Sequence, residues 1–354
     1  MKSVIAQNAS DVEMVNQLLI KEVPNYRQAY SDRTSWLMAC FSELAYLRFN
    51  PVFNNEQQKD LITKHLEKYV ENSKKANIVK LLDVIAYDHE AELNRLKTEL
   101  SLLNAKLVKT FDSNGTQAIL VSTDKFITLA FRGTEATSVK DIKADTKATT
   151  VKCDSGGNIH SGFKEAFEEV ELEIQRTLNQ PQFVDKPLFI TGHSLGGALA
   201  TIAAKKLYHT GGIASCYTFG APRVGDDVWI SNIKVPFYRV VNAADCVTMM
   251  PPSSVTISMA SWIIGFIPQV GKNIRSYILA KFGGYLHGGN MRYLTNCTNG
   301  NFATASLLYS VSFFYRIKML YMNALPWSKS LADHSISLYR KKLAIIGIKR
   351  NLDN

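Results

Sequence analysis

The spacing of apolar positions divides the 354-residue chain into three stretches. From 1 to 108 the period is helical. Trp36, Leu37, Cys40, Leu44, Ala45 and Leu47 recur on one helix face, with Ser31 or Asp32 placed to cap the start and Asn50-Pro51 placed to stop it. A second run, 78–107, repeats the pattern through Leu81, Val84, Ile85, Leu93, Leu96, Leu100 and Leu103; the charged piece 56–75 between them reads as a solvated helix or linker.

From 109 the period changes. Asn114-Gly115 is a hairpin signal, and two short β-rich runs, 117–122 and 126–131, follow it. Residues 160–180 are amphipathic at helical spacing (Phe163, Phe167, Val170, Ile174, Leu178) and end at Pro181. A short apolar strand at 187–191 then runs straight into a glycine-rich turn and a helix of small residues, 195–208, and apolar runs at 214–219 and 235–241 continue the alternation. Strands alternating with helices predict an α/β layer with a mostly parallel sheet. The last stretch, 251–354, is irregular: 257–270 and 303–322 are apolar, with Lys and Arg close by, and neither has the uninterrupted length of a membrane span.

Hydrophobic residues make up 46% of the chain, enough for a sizeable core, which argues against disorder. Five cysteines are scattered without Cys-x-x-Cys spacing, so neither a disulfide framework nor a zinc site is expected. The first residues turn polar before a signal-peptide apolar run develops, and the expected setting is cytoplasmic or peripheral to a membrane, with export by a route lacking a classical signal left open. Charge changes the picture more. Residues 231–354 carry 14 Lys/Arg against 3 Asp/Glu, and no glutamate, while the rest of the chain is nearly balanced. Such a basic third attracts polyanions. Its aromatics carry no base-stacking motif, which disfavours nucleic acid; apolar segments edged by cations suit an anionic bilayer, or alternatively ordinary core helices with a solvated basic face.

The candidate chemistry centres on Gly192-His193-Ser194-Leu195-Gly196-Gly197. Gly-x-Ser-x-Gly alone is a weak signal. Placed between a strand and a helix it is the sharp turn that exposes a nucleophilic serine, with the helix N-terminus behind it favouring developing negative charge. A serine hydroxyl needs a base, and the base needs an orienting carboxylate, in the chain order Ser, acid, His. Asp245 follows a predicted strand; Asp226 and Asp227 compete with it but read as turn residues. Downstream of Asp245 lie two histidines, His287 and His334.

Nearly all of 110–250 resembles one family, the class 3 or fungal-type lipases of the α/β-hydrolase fold. Phe131-Arg132-Gly133-Thr134, His160-Ser161-Gly162-Phe163, the serine turn, 217–226 from Tyr217 to Asp226, and Arg239-Val240-Val241-Asn242-Ala243-Ala244-Asp245 followed by Pro251-Pro252 carry the resemblance. It implies Ser194 as nucleophile, Asp245 as acid, and His334 in Asp333-His334 as base, although the family's Asp-His-x-x-Tyr ending meets its tyrosine, Tyr339, two residues late. His287 resembles the His-x-Gly segment that precedes that ending. The backbone N–H groups of Leu195 and Thr134 are implied as the oxyanion donors. Arg132 is then a structural residue behind the oxyanion hole, and His193 and Arg223 are positioning residues.

Two departures matter. The segment after Thr134, where the family often has an amphipathic lid, is here a charged stretch read as a small helix. The apolar material lies instead in the 88 residues between Asp245 and His334. The expected organisation is an N-terminal helical region, 1–108, packing on or capping an α/β-hydrolase core, 109–354, with an insertion at about 253–330. The expected activity is hydrolysis of acylglycerol or phospholipid esters without metal or cofactor, on a lipid ester substrate with peripheral contact to an anionic membrane. The alternatives are a soluble carboxylesterase of shorter acyl esters and a non-catalytic membrane-associated protein of the same fold.

Overall fold

The structure, a computed structural model, describes residues 3–23, 29–48, 88–134, 150–253, 284–297, 301–323 and 332–352. Three helices come first: α1 (Ala9–Leu19), α2 (Asp32–Leu44) and α3 (His89–Ser101). Ser31 caps α2, its side chain accepting from Thr34 N, and Asp88 caps α3 in the same way. α2 stops at Leu44, short of the expected Asn50-Pro51, because the chain turns through Ala45 and Tyr46. α3 likewise stops before the predicted limit of 107. Leu107 lies instead in a strand, β1 (Lys106–Ser113), which the helical reading of that run missed.

β1 pairs antiparallel with β2 (Thr116–Ser122) across Asn114-Gly115, both at positive φ (47° and 83°), the two-residue turn predicted from Asn-Gly. β2 pairs antiparallel with β3 (Ile127–Phe131). A small hairpin, β4 (Thr150–Lys152) with β5 (Asn158–His160), leads into α4 (Ser161–Leu178). Then come β6 (Leu188–His193), α5 (Leu195–Lys206), β7 (Ile213–Phe219), a short α6 (Asp227–Ser231) and β8 (Phe237–Asn242). The last third adds β9 (Asn290–Leu294), β10 (Leu307–Leu308), α7 (Phe313–Asn323) and α8 (Ile336–Leu352); α7 falls in the apolar run 303–322, and the irregular sequence announced none of the other three.

The eight strands form one sheet in the order β1-β2-β3-β6-β7-β8-β9-β10, with β3 through β9 parallel to one another. Both faces are covered, and the two-residue period decides which side chain goes where. Ile119, Ala130, Phe189, Tyr217 and Val240 pack beneath α2 and α8. Leu120, Leu129, Ile190 and Cys216 pack beneath α4 and α5. This three-layer arrangement is the α/β-hydrolase architecture. The N-terminal helices are part of it: Ser42 of α2 hydrogen-bonds Thr191 of β6 (2.9 Å), and buried Glu99 of α3 holds Val4 N (2.7 Å) and Ile5 N (3.0 Å). The predicted stretch 257–270 and the charged segment after Thr134 lie outside the described residues.

Candidate active site

Ser194 stands at the C-terminal end of β6, where the chain reverses into α5. Its dihedrals, φ 57° and ψ −128°, lie outside the ordinary L-residue regions, a strain of about 1–3 kcal/mol that its surroundings hold in place. Two glycines let the turn close. A Cβ on Gly192 would sit 2.1 Å from Gly196 O, and one on Gly196 would sit 2.3 Å from Phe131 O. The serine N–H donates to Phe219 O at the end of β7 (3.0 Å). The turn is thus wedged between β3 and β7.

The side chain of Ser194 donates to His334 Nε2 (2.8 Å), and His334 Nδ1–H donates to Asp245 Oδ2 (2.9 Å). All three are buried. Asp245 lies just beyond β8, after a turn in which Ala243 takes φ 37° and donates its N–H to Leu294 O of β9. Its other oxygen, Oδ1, accepts from Val247 N (3.0 Å). Tyr339 of α8 also donates to Asp245 Oδ2 (2.5 Å), while its own oxygen accepts from Asn242 N (3.0 Å). Burial and the neighbouring carboxylate push the Tyr339 phenol well above its ordinary pKa, so it stays a donor. The two-residue delay of this tyrosine is absorbed because His334 sits in the turn before α8, ahead of the helical count.

Asp245 and His334 meet because the intervening space is small. Gly220, at φ 58°, faces them: a Cβ there would lie 2.7 Å from Asp245 Oδ2 and 3.0 Å from the His334 ring. The backbone of His334 is gripped from the other side. Its carbonyl accepts from His193 Nε2–H (2.6 Å), so His193 Nδ1 is an acceptor and receives the hydroxyl of Tyr46 (2.8 Å). Burial, then the adjacent His334 ring, hold the His193 pKa well below the ordinary value, keeping it neutral as this pattern requires. On the other side of the histidine, Asn242 Nδ2 donates to Asp333 O (2.7 Å), and buried Lys342 donates to Asn242 Oδ1 (2.7 Å) and Thr295 O (2.8 Å).

Thr134 and Leu195 line a common cavity of about 290 Å³, together with Thr116, Gln117 and Gly133. Gly133 packs without a side chain beside them; a Cβ on it would collide with Tyr46 Oη and with His193 O (2.6 Å). Leu195 is the first residue of α5, so its N–H has no carbonyl of its own helix to bond. The competitors lie elsewhere. Asp226 caps α6 through Trp229 N (2.9 Å) and also accepts from Asn158; Asp227 is exposed. His287 donates to Thr248 O, and burial with three nearby arginines keeps its pKa well below the usual range. Arg132 bonds Gln117 (2.7 Å), and Arg223 donates to Met249 O and to Pro251 O (2.5 Å), bracing the loop after Asp245. Two positioning residues went unnamed in the sequence: Tyr46, which stands between Ala45 and Leu47 of the first helical face without belonging to it, and Lys342, hidden among basic residues. No signal in the sequence marks either one. Among the described residues no group of three or more His, Cys, Asp or Glu is placed to hold a metal.

A serine at a strained strand-to-helix turn, an acid beyond a later parallel strand and a histidine further on define a protein of the α/β-hydrolase class. Residues 128–255 match the family model of class 3 lipases. It is 33% identical to a lipase of Rhizomucor miehei over 185 residues, covering 49% of this chain and 48% of the relative. It is 29% identical to secreted mono- and diacylglycerol lipase 1 of Fusarium solani over 195 residues, covering 52% and 55%. Among solved structures, the Rhizomucor miehei lipase propeptide complex is similar with 26% identity and a TM-score of 0.46, over 66% of this chain and 69% of that one. The chain spans about half the length of the curated relatives it matches.

Proposed function

We propose that the chain is a serine lipase that cleaves acyl esters of acylglycerols or phospholipids. The observation that carries this reading is the unbroken hydrogen-bond chain Ser194–His334–Asp245 at a strained elbow. His334 Nε2 takes the Ser194 proton as Oγ attacks the ester carbonyl, and Asp245 holds the ring so that Nδ1 carries the other proton. The negative charge on the tetrahedral oxygen falls to the N–H groups of Leu195 and Thr134, with the N-terminus of α5 adding to them. His334 then returns its proton to the departing alcohol, which leaves an acyl-enzyme on Ser194. Water, deprotonated by the same imidazole, releases the acid and restores the serine. No metal or cofactor enters this scheme.

The named relatives support acylglycerols as the first substrates to try. The basic final third supports phospholipids as the main variant and an anionic bilayer as the surface of action, with Tyr309 and Phe314 exposed on it. No helix among the described residues is long and apolar enough to cross a membrane. A chain-length series of nitrophenyl esters, run beside emulsified diacylglycerol and phosphatidylglycerol vesicles, tests the proposal. Hydrolysis of long-chain glyceride or phospholipid supports it; turnover confined to short acyl chains makes the protein a carboxylesterase, and no turnover with any ester removes the lipase reading.

A further inference from the structure

A second polar site lies on the far side of the β8 strand that leads to Asp245. Along β8, Tyr238 and Val240 face α2 and α8, so Arg239 between them faces the α5 layer. In the parallel register Arg239 lies opposite Thr218 of β7, whose side chain points the same way. Both belong to a small cavity closed by Thr201 of α5 and by His287, with room for about one water-sized particle.

Donors in the lining of this cavity lack partners. Arg239 is 8% exposed, yet its Nε and Nη1 have no hydrogen-bond partner, and neither has the hydroxyl of Thr218. Buried guanidinium donors left unpaired cost free energy unless something accepts from them. Charge is unbalanced too. The charged groups acting on Arg239 are two further buried arginines, Arg316 and Arg223, and burial beside them pulls its pKa down to about 9. Burial, and then Arg316, lower Arg223 in turn to about 10. Among the described residues the carboxylate that acts on this group is Asp245, on Arg316, and it is already shared by His334 and Tyr339. No Asp or Glu occurs in the sequence between Asp245 and Asp333. A water molecule would offer an acceptor but no charge. Phosphate or sulfate, with five heavy atoms, exceeds the space.

We propose that this cavity is a binding site for a single halide-sized anion, chloride being the plain candidate, held by Arg239 Nε–H and Nη1–H and by the Thr218 hydroxyl. The site is independent of which ester the chain hydrolyses. The test uses the full chain and compares sodium chloride and sodium bromide with sodium gluconate at equal ionic strength. The expected result is a Tm higher in halide than in gluconate by about 2 °C at roughly tenfold above half-saturation, rising with the logarithm of halide concentration beyond it. Arg239→Met and Thr218→Val should each abolish this halide-specific rise. Should Arg239→Met fail to fold, Thr218→Val still reads the site through its hydroxyl alone. Crystals grown in bromide should show an anomalous peak beside Arg239 and Thr218. Equal Tm in chloride and gluconate, a halide-specific rise undiminished in Thr218→Val, or an ordered water in place of the anomalous peak would each overturn the proposal.

Discussion

The two ends of the Ser194–His334–Asp245 hydrogen-bond chain are built in opposite ways. At the Ser194 end the framework is local: β6, a turn and α5 are contiguous, and their glycines allow the reversal. At the His334 end it is assembled from distant parts of the chain. The imidazole rests on Asp245 after β8, its carbonyl hangs from His193 and through it from Tyr46, and its flanks are tied to Asn242 and Tyr339. A strained serine can be encoded in six residues. A base that must meet it needs the whole fold.

Breaking the junction between the two ends should do most damage. Gly220→Ala adds a methyl where Asp245 Oδ2 and the His334 ring already crowd, at a positive φ. A displacement of about 1 Å costs on the order of 100-fold in kcat, with KM little changed. Steady-state kinetics on a protein of wild-type circular dichroism checks this. Next come the distant tethers. Tyr339→Phe removes a hydrogen bond to a charged carboxylate, worth about 1.5–3 kcal/mol, and should lower kcat about 10- to 100-fold. Tyr46→Phe removes a bond to a neutral ring two contacts from the chemistry, so its effect on kcat should be smaller, with about 1–3 kcal/mol lost in chemical denaturation. If Tyr46→Phe proved the more damaging in kcat, the order of importance along the tether would be reversed.

The smallest effect belongs to a histidine outside both ends. His160 caps α4 by accepting from Phe163 N, and burial lowers its pKa to about 4. Because the folded value lies below the unfolded one, the neutral ring's stabilisation is fully present above about pH 6.5 and is lost as pH falls toward 4. Asn in its place still caps the helix but does not titrate. His160→Asn should therefore flatten the dependence of stability on pH in that window, measured by denaturant melts from pH 4.5 to 7. An unchanged slope would show that this ring does not drive the acid loss.

The same contrast explains what could be read from sequence. The central strands β3, β6, β7 and β8 and helices α4 and α5 were legible because both faces of the sheet are covered, making its strands apolar runs between clear breakers. β1 was not, since an edge strand beginning with Lys106 and half open to solvent has no such run. β9 was hidden for a similar reason, with Asn290 and Arg292 among its five residues. In α8 the buried residues include Arg340, which reaches Glu43 and the carbonyls of Val4 and Ile5, and Lys342; inward-facing cations erase the apolar stripe. At the site, Ser194 was marked by its local motif, while Asp245 and His334 were expected from chain order together with the family resemblance. Tyr46 and Lys342 could not, because their roles exist only through contacts about 100 residues or more away in sequence.

The central claim is that His334, and not His287, activates Ser194. Reaction with a fluorophosphonate probe, followed by peptide mass spectrometry, measures it without any choice of substrate. The wild-type chain and His287→Ala should carry the label on Ser194, while His334→Ala should label slower by a factor on the order of 10⁴ or more. Labelling of His334→Ala at the wild-type rate, or label on a residue other than Ser194, would contradict it.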